Sequence, residues 1–125
     1  MEVGVGEVET VLAWHEALNA GDTDRMVALC SEEVEVGGPR GSGRGRELLR
    51  EWFARAGLSL SAERVFHGRG CVVVEQRAVW PGTEPATVAS VFSVGGGRIA
   101  SVVRHDALAE ALAAAGLGEG DLVSR

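Results

Sequence analysis

The chain has 125 residues, of which 46% are hydrophobic, so it is long enough to fold as a single domain around a buried core. A net charge of -6 and widely spaced arginines argue against a nucleic-acid-binding protein, which usually carries a basic stripe. No apolar run approaches the ~20 residues of a membrane span, and the acidic first residues do not resemble a signal peptide. We therefore expect a cytoplasmic domain that binds neither nucleic acid nor membranes.

The amino-acid composition also excludes several catalytic mechanisms. The chain has no lysine, which excludes a Schiff base, and no tyrosine that would act as a phenolic acid. Its two cysteines, Cys30 and Cys71, form no CxxC motif, and its three histidines lack metal-ligand spacing. We expect neither a metal site nor a cofactor.

The first half of the chain is predicted to be mainly helical. Apolar residues recur at helical spacing over residues 7–20, and a glycine follows that segment. Asp22 or Thr23 is suited to cap a second helix that runs to about Cys30. A third helix is predicted over residues 46–56, with its tryptophan and phenylalanine buried.

Between the second and third helices the pattern indicates a strand and a loop. Val34 and Val36 alternate with Glu33 and Glu35, as in a short strand. The stretch GGPRGSGRG, residues 37–45, is predicted to be a loop that serves as a flexible lid or turn.

From residue 58 the apolar residues recur at every second position. Four strands are predicted, joined by tight glycine or proline turns, over residues 58–67, 71–80, 86–94 and 98–106. Consecutive strands with tight turns indicate an antiparallel meander. Residues 107–115 are predicted to form a short alanine-rich helix, and residues 118–125 a loose tail. Helices followed by strands indicate an α+β fold in which helices on a curved sheet enclose a cavity.

The last predicted strand carries the candidate catalytic pair, Arg104 and Asp106. Being two residues apart, they share one face of the strand. At a cavity mouth Asp106 would take a proton and Arg104 would stabilise a developing oxyanion. The alternative is a structural ion pair in which Asp106 caps the helix that begins at Ala107. His15, on the apolar stripe of the first helix, is either a pocket acid–base group or a hydrogen-bonded core residue, and we favour the core role.

Two stretches, LNAGDTDRMVALCSEEVEV and VFSVGGGRIASVVRHD, taken in this order, resemble the nuclear transport factor 2-like superfamily, also called the SnoaL-like group. The resemblance covers about residues 5–115 of one domain, with residues 116–125 as a tail. It implies a cone-shaped α+β barrel, a curved and mainly antiparallel sheet wrapped around about three N-terminal helices, with a short C-terminal helix. It also implies an apolar cavity and, as in many members, a homodimer formed through the outer face of the sheet.

Ketosteroid isomerases of this superfamily provide a residue-by-residue comparison. Their helix-one tyrosine falls at Trp14, their aspartate base at Gly38, and their second aspartate at Ser90, which argues against a steroid isomerase using the usual residues. The same resemblance implies a set of cavity-lining residues: Trp14, Cys30, Gly38, Phe53, Val74, Gln76, Trp80, Ser90, Phe92 and Val102.

The sequence is compatible with two alternative functions. The first is a cofactor-independent cyclase, isomerase or hydrolase that acts on an apolar carbonyl- or epoxide-bearing compound by acid–base chemistry. The second is a non-catalytic ligand-binding or dimeric assembly domain. Under both, we expect a small apolar molecule in the cavity and a homodimer through the outer sheet face.

Overall fold

The computed structural model describes residues 3–54 and 57–123 and places the helices before the meander, as the change of periodicity predicts. Within these residues the elements are α1 (Val3–Asn19), α2 (Thr23–Ala28), β1 (Cys30–Gly38), β2 (Gly41–Arg44), α3 (Arg46–Ala54), β3 (Ser59–Gly68), β4 (Cys71–Val79), β5 (Ala86–Gly95), β6 (Arg98–His105) and α4 (Leu108–Ala115), followed by a short 3-10 turn at Glu119–Asp121. None of the described helices is long and apolar enough to cross a membrane.

The six strands form one curved sheet in the order β2-β1-β6-β5-β4-β3. Strand β1 runs parallel to β6, and the other neighbouring strands are antiparallel. The predicted α+β class and the antiparallel meander are therefore confirmed. The sheet does not close into a barrel, because β2 and β3 lie at its two opposite edges.

Side-chain hydrogen bonds fix the helices at their ends. Asn19, the last residue of α1, bonds both backbone groups of Leu60 in β3, with its amide donating to the carbonyl and its oxygen accepting from the N–H, each at 2.8 Å. Asp22 caps α2 by accepting a hydrogen bond from the backbone N–H of Arg25 at 3.2 Å. The helices are thereby held against the inner face of the sheet, which we define as the face toward α1 and α3.

The prediction of a loop over residues 37–45 is wrong. Strand β1 continues to Gly38 and pairs with β2 in a hairpin, with Gly38 opposite Gly41. Alternation of side chains does not mark this hairpin, because Gly37, Gly38, Gly41 and Gly43 have no side chain. A side chain at Gly43 would clash with Leu48 of α3, so the glycine lets the helix approach the hairpin closely.

The outer face of the sheet, opposite to α1 and α3, is partly covered by the chain itself. Helix α4 packs against β4, β5 and β6, and its Ala111 and Leu112 join a second apolar cluster with Phe66, Val73 and Val91. The homodimer, which the resemblance implies, stays a prediction, and α4 covers these outer apolar residues within the chain itself.

The prediction of a loose C-terminal tail is wrong for residues 118–123. The backbone N–H of Val123 donates to the carbonyl of Val65 at 2.7 Å, and Leu122 forms a bridge with Phe66. Because β3 is an edge strand, its unpaired backbone groups were free to accept this segment. The tail therefore covers one edge of the sheet.

Candidate functional site

A cavity of about 260 Å³ opens between α3, the β1–β2 hairpin and the inner face of the sheet. Its volume lies just below the usual range for ligand sites, which begins at about 300 Å³. It is lined by residues from six stretches of the chain: Val36, Gly37, Gly38, Pro39, Arg40, Gly41, Trp52, Phe53, Leu58, Leu60, Ala78, Trp80, Ser90, Val102 and Arg104.

The cavity walls are mainly aromatic and aliphatic. Trp52 and Phe53 project from the end of α3, and Trp80 follows the last residue of β4. Phe53 packs edge-on against the buried ring of Trp14, with ring centroids 5.2 Å apart, so this wall is supported by the core. Flat aromatic side chains of this kind suit a flat, largely apolar molecule.

Two polar side chains lie next to each other on the inner wall. Ser90 of β5 and Arg104 of β6 are direct partners in the antiparallel register, so their side chains share the inner face. The guanidinium carbon of Arg104 lies 6.0 Å from the ring centroid of Trp80. The Nε of Arg104 is buried without a hydrogen-bond partner among the described residues, which leaves a donor to be satisfied.

Behind Ser90 a buried chain of hydrogen bonds runs from β5 through β4 to α1. The Oγ of Ser90 donates to Oε1 of Gln76 at 2.8 Å. The Nε2 of Gln76 lies 2.9 Å from Nε2 of His15, and Nδ1 of His15 lies 2.8 Å from the carbonyl oxygen of Val11. Three side chains from three elements therefore fix the orientation of the Ser90 hydroxyl.

His15 is a neutral core residue in this arrangement. It is 4% exposed, and its ring lies 5.2 Å from the ring of Trp14 and 5.4 Å from that of Phe92. Burial lowers the pKa of His15 from 6.5 to about 4, although its hydrogen bond to the carbonyl of Val11 partly opposes this shift. The structure therefore agrees with the core role that we favoured over a pocket acid–base group.

The ten residues expected to line the cavity divide into two groups. The first group lines the cavity as expected and comprises Gly38, Phe53, Trp80, Ser90 and Val102. Trp14, Cys30, Val74, Gln76 and Phe92 point to the same interior but are fully buried in the core behind the cavity. Alternation along a strand identifies the face on which a side chain lies, but it does not tell how deep that side chain is.

The predicted pair at the cavity mouth is not formed. Arg104 lines the cavity, whereas Asp106 is exposed, lies outside the lining residues and forms no ion pair with Arg104. Strand β6 ends at His105, so the alternation that would turn Asp106 inward stops one residue earlier. Asp106 does not cap α4 either, since the cap position is Ala107, which makes no side-chain cap hydrogen bond. A catalytic role for Asp106 stays a prediction.

The sequence interpretation missed part of the lining. Trp52, predicted to be buried in the third helix, is 41% exposed at the cavity. The hairpin residues 37 and 39–41 were missed because a loop was expected there, and Val36 was expected in a strand but not at the cavity. The adjacent aromatic pair at the end of α3 was the available signal, since one side chain of such a pair points away from the core.

Cys30 is not activated as a nucleophile. It is fully buried, and burial raises the pKa of its thiol to about 12. Its carbonyl accepts hydrogen bonds from Nε and Nη2 of Arg46, at 3.2 and 2.6 Å, which ties the start of β1 to α3. In the described ranges no group of three His, Cys, Asp or Glu side chains is placed to hold a metal ion.

Comparisons with known proteins agree with this geometry. A family model described as the SnoaL-like domain matches residues 11–102. No protein in the curated set matches the chain significantly.

Among solved structures, an NTF2-like protein of unknown function from Cytophaga hutchinsonii superposes with a TM-score of 0.74 at 17% identity, over 78% of this chain and 87% of that one. A protein from Sinorhizobium meliloti, provisionally named a polyketide cyclase, superposes with a TM-score of 0.70 at 19% identity, over 77% of this chain and 93% of that one. A protein from Kribbella flavida, provisionally named a ketosteroid isomerase, superposes with a TM-score of 0.74 at 16% identity, over 82% of this chain and 78% of that one. At these identities the likeness shows a shared fold.

Proposed function

Because the chain belongs to the SnoaL-like domain family, we propose from the geometry of its cavity that it binds a small, largely apolar molecule between α3 and the inner face of the sheet. One observation carries this proposal: an open, aromatic-walled cavity of about 260 Å³ has two polar residues side by side on its inner wall, the buried Ser90 and the half-buried Arg104. An apolar pocket with a few convergent polar groups is the usual form of a ligand site.

The side chains of the cavity favour binding over acid–base catalysis. Among the described lining residues the ionisable side chains are those of Arg40 and Arg104, and a guanidinium does not take up a further proton. Asp106, the predicted base, lies outside the cavity. His15 is separated from the cavity by Gln76 and Ser90, and a neutral amide between them does not relay a proton. Ligand binding is therefore the function that these residues support best.

The three tryptophans allow a direct test in one spectrum. Trp52 and Trp80 line the cavity, whereas Trp14 is fully buried behind it. We expect titration of ¹⁵N-labelled protein with quinolin-2(1H)-one, a flat bicyclic compound, to shift the indole N–H signals of Trp52 and Trp80 in a saturable manner. The signal of Trp14 should move much less.

A matched pair of variants locates the binding. Trp52 and Leu122 are large apolar side chains of similar exposure, 41% and 48%, and only Trp52 lines the cavity. We expect Trp52→Ala to weaken binding at least severalfold and Leu122→Ala to leave it unchanged. An absence of shifts at both cavity tryptophans, or equal weakening in both variants, would contradict the proposal. Absent shifts together with a stable dimer in sedimentation would instead favour an assembly domain.

A further inference from the structure

We propose that Ser90 and Arg104 form an acceptor–donor pair that selects ligands carrying a hydrogen-bond donor beside an acceptor on one edge, as in a lactam, a primary or secondary amide, or a hydroxy-ketone. This inference rests on the proposed binding function and names the chemical class of the ligand. It uses two features that binding of an apolar molecule does not require, the direction of the Ser90 hydroxyl and the guanidinium of Arg104 beside it on the cavity wall.

The direction of the Ser90 hydroxyl follows from the far end of the buried hydrogen-bond chain. A carbonyl oxygen only accepts, so Nδ1 of His15, 2.8 Å from the oxygen of Val11, must carry the ring hydrogen. In a neutral imidazole Nε2 is then an acceptor, and Gln76 must turn its NH₂ group toward it. The amide oxygen of Gln76 consequently faces Ser90 and accepts its hydroxyl hydrogen.

Ser90 therefore presents lone pairs, and not a hydrogen, to the cavity. Its hydroxyl hydrogen is used by Gln76, and the residue is 3% exposed, so bulk water does not compensate for a mismatched ligand atom. The low pKa of His15 keeps the imidazole neutral near pH 7, which preserves this polarity. The side chains in contact with the His15 ring, Trp14, Gln76 and Phe92, do not titrate in this range.

Arg104 contributes the opposite polarity. Its guanidinium only donates hydrogen bonds, and Arg104 lines the cavity. Because Ser90 and Arg104 face each other across β5 and β6, acceptor and donor stand side by side. A lactam presents its N–H to Ser90 and its carbonyl to Arg104. A carboxylate, an ester or a simple ketone has no donor and would place an oxygen against the lone pairs of Ser90.

Quinolin-2(1H)-one and coumarin form an isosteric probe pair for this selectivity. They share the bicyclic shape and the carbonyl group, and differ in that the N–H of the lactam is a ring oxygen in coumarin. We expect the wild-type protein to bind the lactam about tenfold more tightly, since one mismatched buried hydrogen bond costs about that factor. The shifts of the Trp52 and Trp80 indole signals measure both dissociation constants.

Substitutions on one strand provide the control. Ser90→Ala removes the acceptor, so the preference for the lactam should fall to about twofold or less while coumarin still binds. Ser93→Ala should keep the full preference, because Ser93 lies on the outer face and is paired with Ser101 at 2.6 Å. His15→Phe removes the acceptor that orients Gln76, so selectivity should fall although Ser90 is present.

The outcomes separate this inference from the proposed function. Equal affinities of both probes in the wild type, or an unchanged preference in Ser90→Ala, would overturn the selectivity and leave the binding function standing. Shifts with neither probe would overturn both. Arg104→Met, which keeps much of the apolar stem, should weaken both probes equally because both carry the carbonyl; loss of only one probe would contradict the assigned pairing.

Discussion

The two faces of the sheet use the same alternating strands but meet their polar requirements differently. On the outer face two polar pairs form within the sheet, Arg64 with Glu75 at 2.7 Å and Ser93 with Ser101 at 2.6 Å. On the inner face the hydroxyl hydrogen of Ser90 is bonded to Gln76, its lone pairs are turned to the cavity, and the Nε of Arg104 has no described partner. These outer pairs are satisfied within the chain, whereas the inner face leaves space and polar groups for a ligand.

Apolar burial follows the same division. The outer apolar side chains are covered by α4, with Ala111 and Leu112 packed on Val73 and Val91. The apolar side chains of the inner face are packed under the helices around Trp14, whereas those near Trp80 border the open cavity. Alternation along the strands places apolar residues on both faces of the sheet. A cavity remains on the face that the helices cover only in part.

Two neighbouring residues of β5 test this division of burial most strongly. Phe92 is fully buried on the inner face, and Val91 lies under α4 on the outer face. We expect Phe92→Ala to lower the free energy of unfolding by about 4 kcal/mol and Val91→Ala by about 2 kcal/mol, because the first substitution removes six buried carbon atoms and the second removes two. Urea denaturation measures both. Equal losses would mean that the inner face is not the better-packed one.

The buried histidine should make the inner face sensitive to acid. The pKa of His15 is about 4 in the folded state and 6.5 when exposed, so the unfolded chain binds the proton first as the pH falls. The stability is thus complete above pH 6.5 and is lost between pH 6.5 and about 4, by ~3 kcal/mol in total. Urea denaturation of the wild type and of His15→Phe over this range isolates the contribution. Parallel pH profiles of the two proteins would show that His15 does not carry it.

The smallest effect is expected on the outer face, at the ion pair of Arg64 and Glu75. Hydrogen bonding from Arg64 lowers the pKa of Glu75, but the pair is solvent-exposed on the arginine side. We expect Glu75→Gln to leave stability unchanged within the error of denaturation at 0.15 M salt, because exposed ion pairs are screened. Ligand binding should also be unchanged in this variant. A clear loss of either would show that the two faces are coupled.

The sequence pattern predicted the elements well where side chains alternate. Gly95 to Gly97 and the apolar runs beside them predicted the hairpin of β5 and β6. The family resemblance implied that Ser90 faces inward, and alternation placed Phe92 on the same face. Alternation did not predict β2, because two of its four residues are glycines without side chains. It also failed one residue beyond a strand end, at Asp106.

The candidate site was harder to predict than the fold. The cavity is lined by Trp52, Trp80 and the hairpin residues 36–41, which are distant in sequence and come together only in the folded chain. The chain of hydrogen bonds from Ser90 to His15 was equally hidden, since its members lie 14 and 61 positions apart. Short-range periodicity contains no information on such pairings.

The most direct measurement is a crystal structure of the protein with quinolin-2(1H)-one. We expect the bicyclic ring in the cavity beside Trp52 and Trp80, with its N–H on the Oγ of Ser90 and its carbonyl on the guanidinium of Arg104. A probe bound on the outer face, or a cavity closed by the side chains of Trp52 and Trp80 with no probe inside, would contradict the assignment of the inner face as the ligand site.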